Sequence, residues 1–424
     1  MVHALDGQRL TIFSERMVMK TFSLVILALT SVAQAGIDIP NEAARIEYIR
    51  NADVWGRPDW VNEDFSFRPD FKLSQVHEIK GLKDITLSQE SILCENAAKE
   101  AGSGKTPKFE CNLYGYDESR KLVLLKKENG KPETIKVKYN VPKKDLNGEI
   151  WGEVLASRVL KALGFGADKM YFTTVYCKGC SENPFPKNPI DKSTLQNPRV
   201  FSPGAIEDKP KGEEMEGEIE GFWPNELVKY VSADPVRARA QKIQRDALRL
   251  MMVFIQHADN KPENQRMLCK ETTDTTGTVC TGKVLLYLQD VGATFGKGAY
   301  KKGPLNAISM PSKVDFEGWK ATPIWLDASK CKGKLNAHHS GDKEAMDPVI
   351  SEEGRVFLSK LFDGLTSGPE GRQRVLDLFK SVKIQEFSKA TPEQWTEVFM
   401  SKVEQIKYPM GKQNSGFRCP TTIN

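Results

Sequence analysis

Apolar positions recur at strand spacing in the first half of the chain and at helix spacing in the second. A loop from Gly102 to Pro107 leads into Lys108–Tyr114. Lys121–Leu125 and Thr134–Tyr139 then read as the arms of a hairpin turned at Asn129-Gly130. One helix follows: Asn147 can cap it, Ile150, Val154, Leu155, Val159 and Leu163 recur at helical spacing, and Gly164 can end it. Residues 168–177 read as another strand. The stretch 178–222 is rich in Pro, Gly, Lys and Glu, lacks an apolar period, and reads as a long loop or linker. Beyond it, Ala233–Gln256 is a helix that grows more apolar toward its end. Met267–Cys269 and Val284–Gln289 read as short strands around a Thr/Gly-rich loop, and Gly354–Leu365, Gln373–Val382 and Pro392–Ile406 carry further helical patterns. A β-rich part with one helix followed by a larger helical part predicts an α+β architecture in two lobes. The expected divisions are a leader at 1–35, an N-terminal extension at 36–90, a β-rich lobe at 91–180, and a linker with a helical lobe at 181–424.

The leader changes the picture of the compartment. Met19-Lys20 opens an apolar run, Phe22 to Thr30, that ends at Ala33-Gln34-Ala35. A positive start, a short apolar core and an A-x-A site form a secretory signal, and the run is too short to span a bilayer. The protein is therefore expected to be exported, periplasmic or extracellular, without stable membrane insertion. In an oxidising compartment the eight cysteines of the 424-residue chain should pair. Neighbours in sequence give Cys94–Cys111, Cys177–Cys180, Cys269–Cys280 and Cys331–Cys419. The Cys177/Cys180 spacing also fits a zinc half-site or a redox centre. Zinc would need further ligands, and His338-His339 are the only adjacent histidines. The net charge of +5 is spread along the chain, so nucleic acid is not an expected partner.

The string with the most chemistry is His257-Ala258-Asp259-Asn260-Lys261-Pro262-Glu263-Asn264, placed between a helix and a strand. Asp290-Val291-Gly292 follows the next strand. Phosphoryl transfer needs one carboxylate to orient the attacking hydroxyl. It also needs a second carboxylate and an amide oxygen for the magnesium that bridges the phosphates. The first string resembles the protein-kinase catalytic loop HRDxKPxN, and Asp290-Val291-Gly292 resembles its DFG motif. The resemblance implies that Asp259 orients the acceptor hydroxyl, Lys261 reaches the transferring phosphate, and Asn264 and Asp290 hold Mg²⁺. Ala258 departs from the family's arginine, which argues against control by a phosphorylated activation loop. Val291 replaces the usual phenylalanine. His257 is either a packed scaffold residue or a base or metal ligand.

Upstream, Gly102-Ser103-Gly104-Lys105-Thr106 is not a Walker A loop, because Lys99 stands where its first glycine belongs. Read as G-x-x-x-P-K-F, the segment is similar to the glycine loop of HipA-type kinases, which implies nucleotide contacts from Gly102, Gly104 and Lys108. Lys136 and Lys138 share one face of a strand, and Glu149 and Glu153 lie one turn apart on the helix. Lys138 and Glu153 are the favoured phosphate-clamping pair. The ordered motifs resemble atypical kinases of the HipA-like and secreted CotH-like kind. The whole chain also resembles an uncharacterised family of exported bacterial proteins through Val154–Asp168, Cys177–Cys180, Gln256–Arg266 and Gln289–Gly296. The kinase resemblance implies ATP, Mg²⁺ and an unknown protein or small-molecule acceptor, whereas the second identifies relatives without assigning an activity. A kinase fold that binds without turnover, or one that transfers a nucleotidyl group, remains the alternative.

Overall fold

In the computed structural model, strand alternation becomes a small closed ring of strands. The structure describes residues 37–56, 77–78, 86–87, 91–99, 106–117, 119, 121–127, 130–141, 144–210, 212–219, 221–270, 279–302, 308–335 and 347–421. In chain order the elements used below begin with β1 (Ile37–Asp38), α1 (Glu42–Asn51), β2 (Ser91–Asn96), β3 (Lys108–Tyr116), β4 (Leu122–Leu124) and β5 (Thr134–Tyr139). Helix α2 (Gly148–Ala162), β6 (Lys169–Lys178), β7 (Arg199–Asp208), β8 (Glu213–Glu216) and α3 (Pro235–Ile255) follow. Then come β9 (Gln265–Cys269), β10 (Val284–Leu288), α4 (Glu352–Thr366), α5 (Gly371–Ser381) and α6 (Pro392–Lys407).

The larger sheet has the order β2-β6-β7-β5-β3-β4, and β2 also pairs with β3, so five strands close on themselves. Period-two alternation turns one side chain of each pair inward. Phe109, Cys111 and Leu113 of β3, Ile135, Val137 and Tyr139 of β5, Phe201 of β7 and Val175 of β6 form one buried cluster. The rings of Phe109, Tyr139 and Phe201 meet at 5.0–5.5 Å. Two disulfides, Cys94–Cys111 and Cys177–Cys180, lie in the same cluster. The other face of β3 and β5 carries Lys108, Lys136 and Lys138, and this face meets the cleft.

Helix α2 begins at Asn147, whose side chain accepts from Glu149 N, and ends before Gly164 at φ +86. It is buried nearly all round because it lies between the ring and the helices. Met170, Phe172 and Ala205 cover it from the ring, and Trp151 stacks on Phe387 at 5.0 Å. Each large apolar side chain sealed this way contributes about 1.5–3 kcal/mol. Helix α3 starts with Asp234 capping Arg237 N and stops at Gln256, whose αL backbone turns the chain out of the helix. Its last nine residues, Ala247 to Ile255, are all buried against α4 and α6 through Phe254, Phe362 and Phe399. A second sheet, β1-β8-β9-β10, follows the 257–264 loop through β9, and Cys269–Cys280 clamps the β9–β10 hairpin.

Two expectations need correction. The stretch 178–222 is not a linker, because residues 199–208 form β7, a central strand paired to both β5 and β6. The Pro203-Gly204 step breaks the alternation that marks a strand, and the β6–β7 register shifts near it. The 121–139 hairpin is closed only near its tip, where Lys126 bridges Pro132. Its arms then run one after the other along a single edge of β3, where Leu125 N donates to Leu113 O and Leu113 N to Glu133 O.

The four disulfides join the neighbours expected, and no cysteine is free. Among the described residues no helix is long and apolar enough to cross a membrane. Both facts fit an exported, non-membrane protein. The leader at 1–35 lies outside the described residues.

Candidate functional site

The loop after α3 is laid against the Asp290 loop by backbone bonds. Ala258 N donates to Ala293 O at 2.9 Å, Gln289 N to Asn264 O at 2.9 Å, and Phe295 N to Ile255 O at 2.6 Å. These contacts set the two candidate carboxylates on neighbouring segments. Asn264 Nδ2 donates to Asp259 O at 2.9 Å and to Asp259 Oδ2 at 3.0 Å, which fixes the carboxylate and leaves Asn264 Oδ1 for another partner. Lys261 Nζ stands 3.5 Å from Asp259 Oδ2. Beneath them Gln265 Nε2 donates to Asn260 Oδ1 at 2.5 Å, a buried amide pair that holds the loop from below. Ala258 and His257 are fully buried. Burial lowers the His257 pKa to about 4, and neither ring nitrogen has a hydrogen-bond partner among the described residues. That is a buried histidine outside the cleft lining, which fits the scaffold role of the two considered.

Asp290 takes φ +51, the left-handed backbone region that aspartate and asparagine enter more readily than most side chains. The turn points its carboxylate at the ring. Lys138 on β5 donates to Glu153 of α2 and, at 2.8 Å, to Asp290 Oδ1. Burial alone would lower the Lys138 pKa, but Asp290 and Glu153 outweigh it and hold the ammonium charged. Lys138 in turn keeps the Asp290 carboxyl well below the usual range. Burial pushes Glu153 up, against the pull of Lys138 and with the charge of Asp290 added. One cation thus serves two carboxylates.

Two glycines allow this approach. A Cβ on Gly152 of α2 would sit 2.3 Å from Gly292 O, and one on Gly292 would sit 2.3 Å from Glu149 Cγ. Thr294 Oγ1 adds a bond to Val291 O at 2.8 Å. The helix therefore rests directly on the D-x-G backbone.

Asp259, Lys261, Asn264 and Asp290 share a cleft of about 1050 Å³ with Lys108 and Lys138. Glu153 lies behind, buried on Lys138. Lys108 is directly opposite Lys138 in the β3–β5 register, and burial with the Lys138 charge lowers its pKa. Gly102 and Gly104 lie outside the described residues, as do His338 and His339. The rival lysine Lys136 is paired to Glu207 at 2.6 Å, and the rival Glu149 to Lys313 at 3.0 Å. Cys177 and Cys180 are bonded to each other, so they form neither a zinc half-site nor a dithiol. Six cationic and six anionic side chains line the cleft, so it is not a general trap for polyanions.

Glu207 and the buried Asp168 behind it escaped the sequence reading, because both depend on β7 being a strand. Ala205-Ile206 ahead of Glu207 was the only local signal. Burial, with the Glu207 charge added, pushes Asp168 well up.

A magnesium ion fits the residues present at Asn264 and Asp290. Asp290 is a hard carboxylate, one-third exposed toward the cleft, and Asn264 Oδ1 accepts no hydrogen bond among the described residues. Among the described residues no group of three or more His, Cys, Asp or Glu could hold a metal. The ion would draw the rest of its shell from phosphate oxygens and water, as Mg²⁺ commonly does.

No protein-family model matches the chain. No curated protein matches it either. Among solved structures the chain is similar to that of a Helicobacter pylori proinflammatory kinase, CtkA, at 12% identity and a TM-score of 0.33. That likeness covers 75% of this chain and 94% of the other, and at this score it carries no argument about the site.

Proposed function

We propose that the protein is a two-lobed, kinase-like phosphotransferase that moves the γ-phosphate of ATP to an acceptor hydroxyl. The observation that carries this reading is the convergence of the Lys138–Glu153–Asp290 cluster and the Asp259–Asn264 pair on one cleft. In this reading Lys138 holds the phosphates that are not transferred. Asp259, oriented by Asn264, accepts a hydrogen bond from the acceptor hydroxyl and takes its proton as the oxygen attacks phosphorus. Lys261 stabilises charge on the phosphoryl group in flight. A magnesium ion on Asn264 and Asp290 would neutralise phosphate charge when bound. The leader pattern and the four disulfides support action outside the cytoplasm.

A second reading is a binding protein without turnover. It is favoured by the buried Ala258 and by the small Val291 in the D-x-G segment. The same experiment separates the two. The purified protein is incubated with Mg²⁺ and ATP labelled at the α- or γ-phosphorus, with a library of hydroxyl-bearing peptides and its own chain as acceptors. Transfer of γ-label alone, abolished in Asp259→Asn, supports the kinase reading. Transfer of α-label marks nucleotidyl transfer, and binding without either label marks the second reading.

A further inference from the structure

The reading of the cleft as a nucleotide site leaves one part of it unused. Lys136 precedes Lys138 by two residues on β5, on the same face, so the two ammonium groups rise from points about 7 Å apart. Lys136, Lys138 and Asp259 all line the same cleft. Glu207 lies opposite Lys136 in the β5–β7 register and takes its ammonium at 2.6 Å. The Glu207 side chain is only 6% exposed, and it still lines the cleft.

We propose that Lys136 and Glu207 read the base of the nucleotide, so that base selectivity is set by hydrogen bonds to this ion pair. The inference rests on the nucleotide reading of the cleft. The Lys136–Glu207 bond uses one of three ammonium protons and one carboxylate oxygen. Among the described residues this leaves two donors and one acceptor on the pair. The polar edge of a nucleobase presents the complement, a ring nitrogen or carbonyl that accepts beside an N–H that donates. Lys136 would give to the first and Glu207 would take from the second.

The charges of the pair are held in place. Burial works against both groups, but each is kept ionised by the other, with the Lys136 pKa raised and that of Glu207 lowered. Asp168 stands behind, buried, with no hydrogen-bond partner for its Oδ1 among the described residues. Burial and the Glu207 charge push its carboxyl well up. A site built on buried polar groups discriminates strongly, because a ligand lacking the matching group leaves them unpaired.

The test compares dissociation constants of the four Mg²⁺–nucleoside triphosphates and of Mg²⁺–tripolyphosphate, which has no base. The wild type should favour one base over tripolyphosphate by about tenfold or more. Lys136→Met and Glu207→Gln should each remove that preference while leaving tripolyphosphate binding within about twofold. Melting temperatures report whether each variant is folded. If neither folds, the wild type's discrimination between ATP and inosine triphosphate decides, since that pair differs at the base edge alone. Equal affinity for the pair then overturns the proposal. So does a variant that weakens tripolyphosphate as much as the triphosphates, or one that keeps the wild-type preference. A wild type that binds tripolyphosphate but no triphosphate more tightly also overturns base reading, with the phosphate site intact. A wild type that binds neither removes the nucleotide reading as well.

Discussion

Gly152→Ala probes the contact on which the site depends. The added methyl would sit 2.3 Å from Gly292 O and 3.1 Å from Gly292 C, and both are backbone atoms that no rotamer change can move aside. Ordinary contact begins near 3.4 Å, so α2 or the Asp290 loop must retreat by about 1 Å. If the loop moves, the 2.8 Å bond between Lys138 and Asp290 stretches past hydrogen-bond range. Overpacking of this kind costs about 1–3 kcal/mol. A displacement of about 1 Å at a reacting centre lowers turnover on the order of 100-fold. Gly56 is the control, because a Cβ there meets nothing within 4 Å among the described residues. Urea unfolding should show the loss for Gly152→Ala and a change within about 0.5 kcal/mol for Gly56→Ala. Nucleotide affinity should fall only in the first. A Gly152→Ala protein with wild-type stability and affinity would refute the reasoning, since the helix would not then rest on the D-x-G backbone.

Other consequences can be measured separately. Lys138→Met leaves Asp290 without its cation beside a buried Glu153, and should destabilise the protein by about 3–5 kcal/mol while abolishing any thermal shift with Mg²⁺–ATP. The His257 pKa is about 4 in the folded chain against about 6.5 unfolded, so between those values the unfolded state binds more protons and stability falls as pH falls. The loss from pH 6.5 to pH 4 should reach about 3 kcal/mol, and His257→Leu should flatten that part of the unfolding profile. Loop-closure entropy ranks the disulfides. Removing Cys331–Cys419, 88 residues apart, should cost about 1–2 kcal/mol more than removing Cys269–Cys280, 11 apart, by denaturant unfolding of the paired alanine variants.

Much of this site was legible because its signals are local. The Asn147 cap and the spacing from Ile150 to Leu163 mark α2, and with it Glu153 as a residue deep in an apolar helix. Lys138 stands out as the last lysine before the chain leaves its strand. The part that was not legible depends on pairing between distant residues. Closure of the ring needs β2 to pair with both β3 and β6, and no short stretch of sequence states that choice. Strand β7 is hidden because Pro203 and Gly204 are turn residues by propensity, and only its neighbours on both sides hold it extended. Glu207, the partner that occupies Lys136, was hidden with it.

The central claim is that Lys138, Asn264 and Asp290 together make a magnesium-dependent nucleotide site. It is tested most directly by the ATP dissociation constant with and without Mg²⁺, for wild type and Asp290→Asn. The account predicts that Mg²⁺ tightens ATP binding about tenfold or more in the wild type and has little effect in the variant. An equal response to Mg²⁺ in both proteins, or no ATP binding by the wild type, would contradict it.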